Sequence, residues 1–174
     1  MLENKLIKLR ALEPDDIDLI YKWENNTDIW RVSNTLTPYA KHIIKAYIES
    51  AHLDIYQTKQ LRLIIETNNL PIGTIDLFDF DPYNLRAGVG ILIAEDKDKQ
   101  KGYATNSLNL FIDYAFKTLG LHQLYCNISE SNIASLKLFK NAGFEIIGLK
   151  KDWNKTINGF ENEFILQKIN NNRN

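Results

Sequence analysis

The chain carries one cysteine, Cys126, in 174 residues. That excludes an intramolecular disulfide and a zinc-knuckle framework. Cys126 falls in an apolar stretch and reads as a small buried hydrophobe, not a nucleophile. Basic blocks are also missing. The formal net charge is −1, from 21 Lys and Arg against 22 Asp and Glu, which argues against broad binding to a nucleic-acid phosphate backbone. No apolar run approaches the roughly 20 residues that span a bilayer. The opening MLENKLIKLRALEPDD lacks a signal-peptide core. Internal repeats and a dividing linker are absent as well. These absences predict a cytoplasmic enzyme or binding protein with no membrane, nucleic-acid or metal partner. The length suits one domain, expected over residues 1–169, with 170–174 (NNNRN) as a frayed tail.

What is present centres on Ala87 to Phe116. Gly88 to Ala94 is an apolar run that reads as a strand. Asp96 to Lys101 are too polar to bury, so the chain turns there. From Leu108 onward the apolar positions 108, 111, 112, 115, 116 and 119 follow the stripe of a helix buried on one face. Gly102 and Ala104 stand where that helix begins. A helix N-terminus offers unpaired N–H groups and the positive end of a dipole. Small residues let an anion approach that backbone, and Lys99 and Lys101 add positive charge. The local chemistry suits a phosphate or pyrophosphate at residues 99–104. An ordinary solvated link capped by Gly102 satisfies the same residues.

The flanking chain reads as mixed strands and helices. Leu6–Leu12 is a short strand. Glu13-Pro14-Asp15-Asp16 starts a helix whose face is Ile17, Leu19, Ile20 and Trp23. Ile29–Leu36 shows no clear period. A second helix runs from Thr37-Pro38 to about Leu53. Leu61–Thr67 and Pro71–Phe80 form a hairpin around Asn68-Asn69. Gln123–Ile128 is a strand, and Ser131-Asn132 caps a helix that Gly143 ends. Phe144–Leu149 and Phe160–Ile169 are strands joined by a polar connection over Lys150–Gly159. The order β-α-α-β-β-β-α-β-α-β-β predicts an α/β (α+β) fold on a single sheet.

Lys99-Gln100-Lys101-Gly102-Tyr103-Ala104 resembles the pyrophosphate-binding signature of the GCN5-related N-acetyltransferases (GNAT), (Gln/Arg)-x-x-Gly-x-(Gly/Ala). Lys99 departs from it conservatively. Asn132, Ser135, Leu138, Phe139, Gly143 and Phe144 match the family's second signature, Asn-x-x-(Ala/Ser)-x-x-(Leu/Ile)-(Tyr/Phe)-x-x-x-Gly-Phe. The opening LRALEPDDIDLIYKWENN and the ending ING-x-x-(Asn/Asp)-Glu are most similar to the ribosomal-protein and spermidine N-acetyltransferase branch. The resemblance implies a mixed, mostly antiparallel sheet whose two central strands part. It implies acetyl-CoA as acyl donor along Ile91, Leu92 and Ile93, its pyrophosphate on Lys99, Gln100, Lys101, Gly102, Tyr103 and Ala104. The pantetheine would pass Asn132, Ser135 and Phe139.

The family's chemistry is direct transfer of acetyl from a thioester to a primary amine, assisted by a base and a donor to the thioester carbonyl. Phe139 stands where many relatives have a Tyr that protonates the thiolate, so Ser135 is ranked first as acid, ahead of Tyr103, Tyr125 or solvent. Gly88 stands where relatives often have a Glu base. Asp79 and Asp81 are the candidate replacements, with turn formation before Pro82 as their other role. Glu66, Asp76, His42, His52 and His122 rank below them. The acceptor is expected to be a protein or peptide amine. A polyamine or other small amine is second, supported by Asp76, Asp79 and Asp81. A non-catalytic acetyl-CoA-binding sensor or assembly module is third. The resemblance also implies a possible homodimer. The aromatic first half (Trp30, Tyr39, Tyr47, Tyr56) is either packing, a substrate-side wall or an interface.

Overall fold

The computed structural model describes residues 2–33 and 35–171. The apolar runs pair into one seven-stranded sheet: β1 (Lys8–Arg10), β2 (Leu61–Thr67), β3 (Leu70–Asp81), β4 (Arg86–Ile93), β5 (Gln123–Ser129), β6 (Glu145–Thr156) and β7 (Gly159–Ile169). Their spatial order is β1-β2-β3-β4-β5-β7-β6. Every neighbouring pair is antiparallel except β4 and β5. That parallel pair is registered only over Arg86↔Gln123, Ala87↔Leu124 and Gly88↔Tyr125. Beyond it β4 runs on to Ile93 and β5 to Ser129, so the two central strands part as the resemblance implies.

The helices are α1 (Ile17–Glu24), α2 (Thr27–Ser33), α3 (Lys41–Glu49), α4 (Ile55–Thr58), α5 (Tyr103–Lys117) and α6 (Ile133–Asn141). The apolar stripe of α5 buries Leu108, Phe111, Ile112 and Ala115 against Leu63, Ile65, Ile75, Leu77 and Val89 of the sheet. Full burial of each large aliphatic or aromatic side chain stabilises by about 1.5–3 kcal/mol. Leu136 and Phe139 of α6 join the same core. On the other face Ile20 and Trp23 of α1 and Ile44 and Ile48 of α3 pack with Leu12 and Ile64.

Five stretches differ from expectation. The short helix α2 takes in residues 29–33 of the stretch without a clear period, and α4 is a single extra turn. The helix expected from Thr37 to Leu53 is α3 followed by a 3₁₀ turn at Ser50–His52. The first strand is shorter than predicted, at three residues. The polar stretch from Lys150 is the continuation of β6, which reaches Thr156. β6 is an edge strand, exposed along most of its length, so its residues carry no burial alternation to read. At the C-terminus the Asn170 N–H donates to the His122 carbonyl (2.8 Å); the rest of the expected tail, residues 172–174, lies outside the described residues.

The turn into α1 is held by one guanidinium. Arg10 donates to Asp16 from Nη1 (2.7 Å) and Nη2 (2.9 Å), and to Glu66 from Nε (2.8 Å). Asp16 also accepts the Glu13 N–H at 2.8 Å. Burial pushes the Asp16 carboxyl up, but the Arg10 hydrogen bonds and the Glu13 amide outweigh it and hold the group below its ordinary value of 3.8. A carboxyl depressed by folding adds stability above its unfolded pKa and loses it as pH falls through the folded value. The contribution is therefore complete above about pH 5 and fades in stronger acid. Asp16→Asn is expected to cost about 2 kcal/mol at pH 7, with the gap from wild type narrowing toward pH 3. Urea denaturation at the two pH values checks both.

Candidate active site

The parted strands open a cleft of about 420 Å³. Its floor is Val89, Gly90, Ile91 and Leu92 of β4 and Cys126 to Ser129 of β5. Ala94 donates its N–H to the Ile72 carbonyl on the β3 side (2.9 Å), and the Leu85 carbonyl accepts from His122 on the β5 side (2.7 Å). Alternate residues of an antiparallel ladder turn their backbone groups to the same neighbour. The backbone groups of Val89 and Ile91 therefore face the gap, where β5 no longer pairs with them. An N–H held there is a preorganised donor for a carbonyl oxygen.

At the C-terminal end of β4 the chain turns through Asp96–Asp98 into α5. Gln100 (φ 60°) and Gly102 (φ 82°) adopt left-handed conformations. Among the described residues, none accepts from the backbone N–H groups of residues 100–105. Lys99 Nζ lies 2.6 Å from Asp96 Oδ1, and Lys101 Nζ lies 3.4 Å from Asp98 Oδ1. The lysine charges are partly countered by the loop's own acids, so the free amides are its main offer to an anion.

One wall of the cleft comes from α6 and β7. Asn132 Oδ1 accepts the Ser135 N–H (3.2 Å) and caps α6. Ser135 and Phe139 both face the cleft. The Phe139 ring packs edge-on against Phe144, with centroids 5.0 Å apart. Glu163 is 6 % exposed and accepts from Lys150 Nζ (2.8 Å) and Asn154 Nδ2 (3.2 Å). The opposite wall comes from α1, α2, β2 and β3: Trp23, Glu24, Ile29, Arg62, Thr74, Asp76 and Phe78. Arg62 forms ion pairs with both Asp76 and Glu24. Burial works against its charge, but the two carboxylates outweigh burial and raise its pKa further.

Of the predicted site residues, the cleft gathers Ile91, Leu92, Asn132, Ser135 and Phe139. Ile93 is instead in the core. Asp79 and Asp81, expected as base candidates, line a separate depression with Arg86, Gln123 and Tyr125. The β3–β4 register shifts between Phe78 and Asp81, and Asp79 has φ 50°. This bulge sends Asp79 to accept from the Tyr125 hydroxyl (3.0 Å). Asp81 accepts from the amides of Tyr83 and Asn84, and from the Asn84 side chain at 2.7 Å, which is the turn-forming role weighed for it. Tyr125, pushed up to about 12 by burial and then by Asp79, is also on that side. Phe78 stands between the two hollows, facing the cleft and stacking edge-on against Tyr125 (5.9 Å). Glu66 is committed to Arg10.

Sequence reading missed Glu24, Arg62 and Glu163 as cleft residues. Arg62 left one signal, a charge inside the otherwise apolar run LRLII. Cys126 lines the cleft, but burial pushes its thiol up to about 12. Burial thus disfavours the thiolate form of this group.

Two parallel strands that part, backbone groups facing the gap and a helix N-terminus beyond it make up the candidate site. Residues 7–145 match the family described as the acetyltransferase (GNAT) domain, and the chain belongs to that family. It is an N-acetyltransferase with acetyl-CoA as donor. The chain is 26 % identical over 145 residues to the spermidine N(1)-acetyltransferase of Escherichia coli strain K12, covering 82 % of this chain and 74 % of the relative. It is 29 % identical over 146 residues to that of Vibrio cholerae serotype O1, covering 81 % and 80 %. In fold it is similar to the crystal structure of the spermidine N-acetyltransferase from Vibrio cholerae in complex with CoA and spermine. The TM-score is 0.83, with 23 % identity and coverage of 95 % and 96 %.

Proposed function

We propose that the protein acetylates a primary amine of a small polycation, with polyamines as the substrate class. The observation that carries this is the charge of the cleft. Among the described residues, Glu24, Asp76 and Glu163 line it against one cation, Arg62. Such a wall draws ammonium groups and disfavours anionic acceptors. The volume is that of a small-molecule pocket. The relatives named spermidine N(1)-acetyltransferase support the same class. This reverses the order of the sequence-based expectation, in which a protein or peptide amine came first.

In this reading the free amides of residues 100–105 and the ammoniums of Lys99 and Lys101 hold the donor's pyrophosphate. Ile91 and Leu92 bound the pantetheine on one side, Asn132, Ser135 and Phe139 on the other. The Ile91 N–H supports the carbonyl oxygen as charge develops on it. Ser135 Oγ is the donor placed for the departing thiolate. Asp79 and Asp81 lie beyond Phe78 in a separate depression, so neither serves as the base in this reading. Positioning of the two substrates contributes most of the acceleration. Self-association belongs to the same proposal: one structural relative is described as dodecameric, and the edge strand β6 leaves Ile147, Leu149 and Trp153 exposed here.

The test is thiol release from acetyl-CoA with spermidine, spermine, butylamine, an aminoglycoside and peptides with free N-termini. Spermidine or spermine is expected to have a kcat/KM at least about tenfold above any peptide. A peptide as best acceptor overturns the assignment.

A further inference from the structure

We propose that Glu24 sets acceptor specificity by meeting a second ammonium on the substrate, and that Arg62 is the residue that positions it. The proposal rests on the polyamine reading above. Glu24 is the last residue of α1, and the corner that follows is pinned by its own bonds. Trp30 Nε1 donates to the Glu24 carbonyl (2.8 Å). Asn25 Nδ2 donates to the Tyr39 carbonyl (3.1 Å), and the Tyr39 N–H donates to Asn25 Oδ1 (2.8 Å). The Glu24 carboxylate itself is held by Arg62 Nη1 through Oε1 alone, so this guanidinium leaves the second oxygen untaken.

Arg62 is placed from the sheet. It is the register partner of Asp76 and grips it with a fork, Nε to Oδ1 at 2.6 Å and Nη2 to Oδ2 at 3.1 Å. Its guanidinium carbon lies 5.7 Å from the centroid of the Tyr47 ring on α3. One side chain thus ties α1, α3, β2 and β3 together at the cleft wall. The side chains of Arg62, Glu24 and Asp76 are 24 %, 21 % and 26 % exposed, fixed in place yet reachable from the cleft. Among the described residues, two carboxylates against one guanidinium leave this wall one negative charge in surplus. Across the cleft, Glu163 is matched by Lys150. The surplus therefore sits at Glu24 and Asp76, next to Gly90 of the floor, the register partner of Asp76.

The competing role is a staple that only holds α1 on the sheet. A staple affects every acceptor alike, whereas a cation-reading carboxylate affects only acceptors with a second charge. The experiment compares spermidine with butylamine in wild type, Glu24→Gln and Arg62→Lys, with melting temperature and acetyl-CoA affinity measured on each. For Glu24→Gln the ratio of spermidine to butylamine kcat/KM is expected to fall about tenfold, carried by a rise in the spermidine KM. Arg62→Lys keeps the charge but loses the planar fork, and the same selective rise in spermidine KM is expected. An unchanged ratio of spermidine to butylamine efficiency in both variants overturns the proposal while leaving the polyamine reading standing. An equal loss on both substrates with a lowered melting temperature assigns the triad to the staple and also overturns it. Wild type inactive on spermidine overturns the polyamine reading, and this proposal with it.

Discussion

Gly102→Asp is expected to weaken acetyl-CoA binding by at least about 100-fold, because it sets a negative charge against a pyrophosphate in the first turn of α5. The backbone at Gly102 has φ 82°, a conformation that costs an L-residue about 1–2 kcal/mol. Space is not the obstacle: a Cβ there would have Asn106 Nδ2 as its nearest neighbour, 3.7 Å away. Gly102→Ala therefore carries the conformational cost without the charge. It is expected to lower affinity no more than about tenfold. The difference between the two variants isolates electrostatics at the anion site. Isothermal titration with CoA and acetyl-CoA measures it, with circular dichroism confirming the fold. Affinity retained in a folded Gly102→Asp protein would remove residues 99–104 from the donor site.

Gly88→Glu is expected to destabilise the protein by about 3 kcal/mol or more, combining overpacking with an unpaired buried carboxylate. A Cβ on Gly88 would lie 2.2 Å from Cε2 of Phe78. The sheet register explains this: Phe78, Gly88 and Tyr125 are consecutive partners across β3, β4 and β5. The Phe78 ring occupies the space above Gly88 and reaches Tyr125. Phe78→Ala in the same chain removes the obstruction, and the pair is expected to recover at least half of the lost stability. The rescue is read by thermal melting of the two single variants and the double. No rescue would mean that something other than the ring makes glycine necessary at 88. The same ring leaves no room for a carboxylate at this position of the central strand.

The strand–loop–helix around Gly102 was legible because everything that forms it is local. The apolar run of β4, the charged link and the stripe at 108, 111, 112 and 115 each declare themselves within a few residues. The same holds for α6, where Asn132 caps the first turn and Gly143, at φ 84°, terminates the last. The two signatures that placed the chain among the GNAT proteins lie on these segments. Acidic residues of β3 were harder to rank. Asp76, Asp79 and Asp81 look alike in sequence, and only the bulge after Phe78 separates the one that faces the cleft from the two that do not.

The sequence by itself thus determined the family and, through it, the donor, since both signatures lie on segments whose backbone conformation and helix position are set by neighbouring residues. Tertiary structure alone decided the charged lining of the cleft. Glu24, Arg62, Asp76 and Glu163 come from α1, β2, β3 and β7, and only sheet register and the packing of α1 on β2 bring them to one cleft. The gap between β4 and β5 is likewise a property of two strands that stop pairing after Gly88 and Tyr125. No local pattern records where a ladder ends, because the groups that fail to meet are distant in the chain.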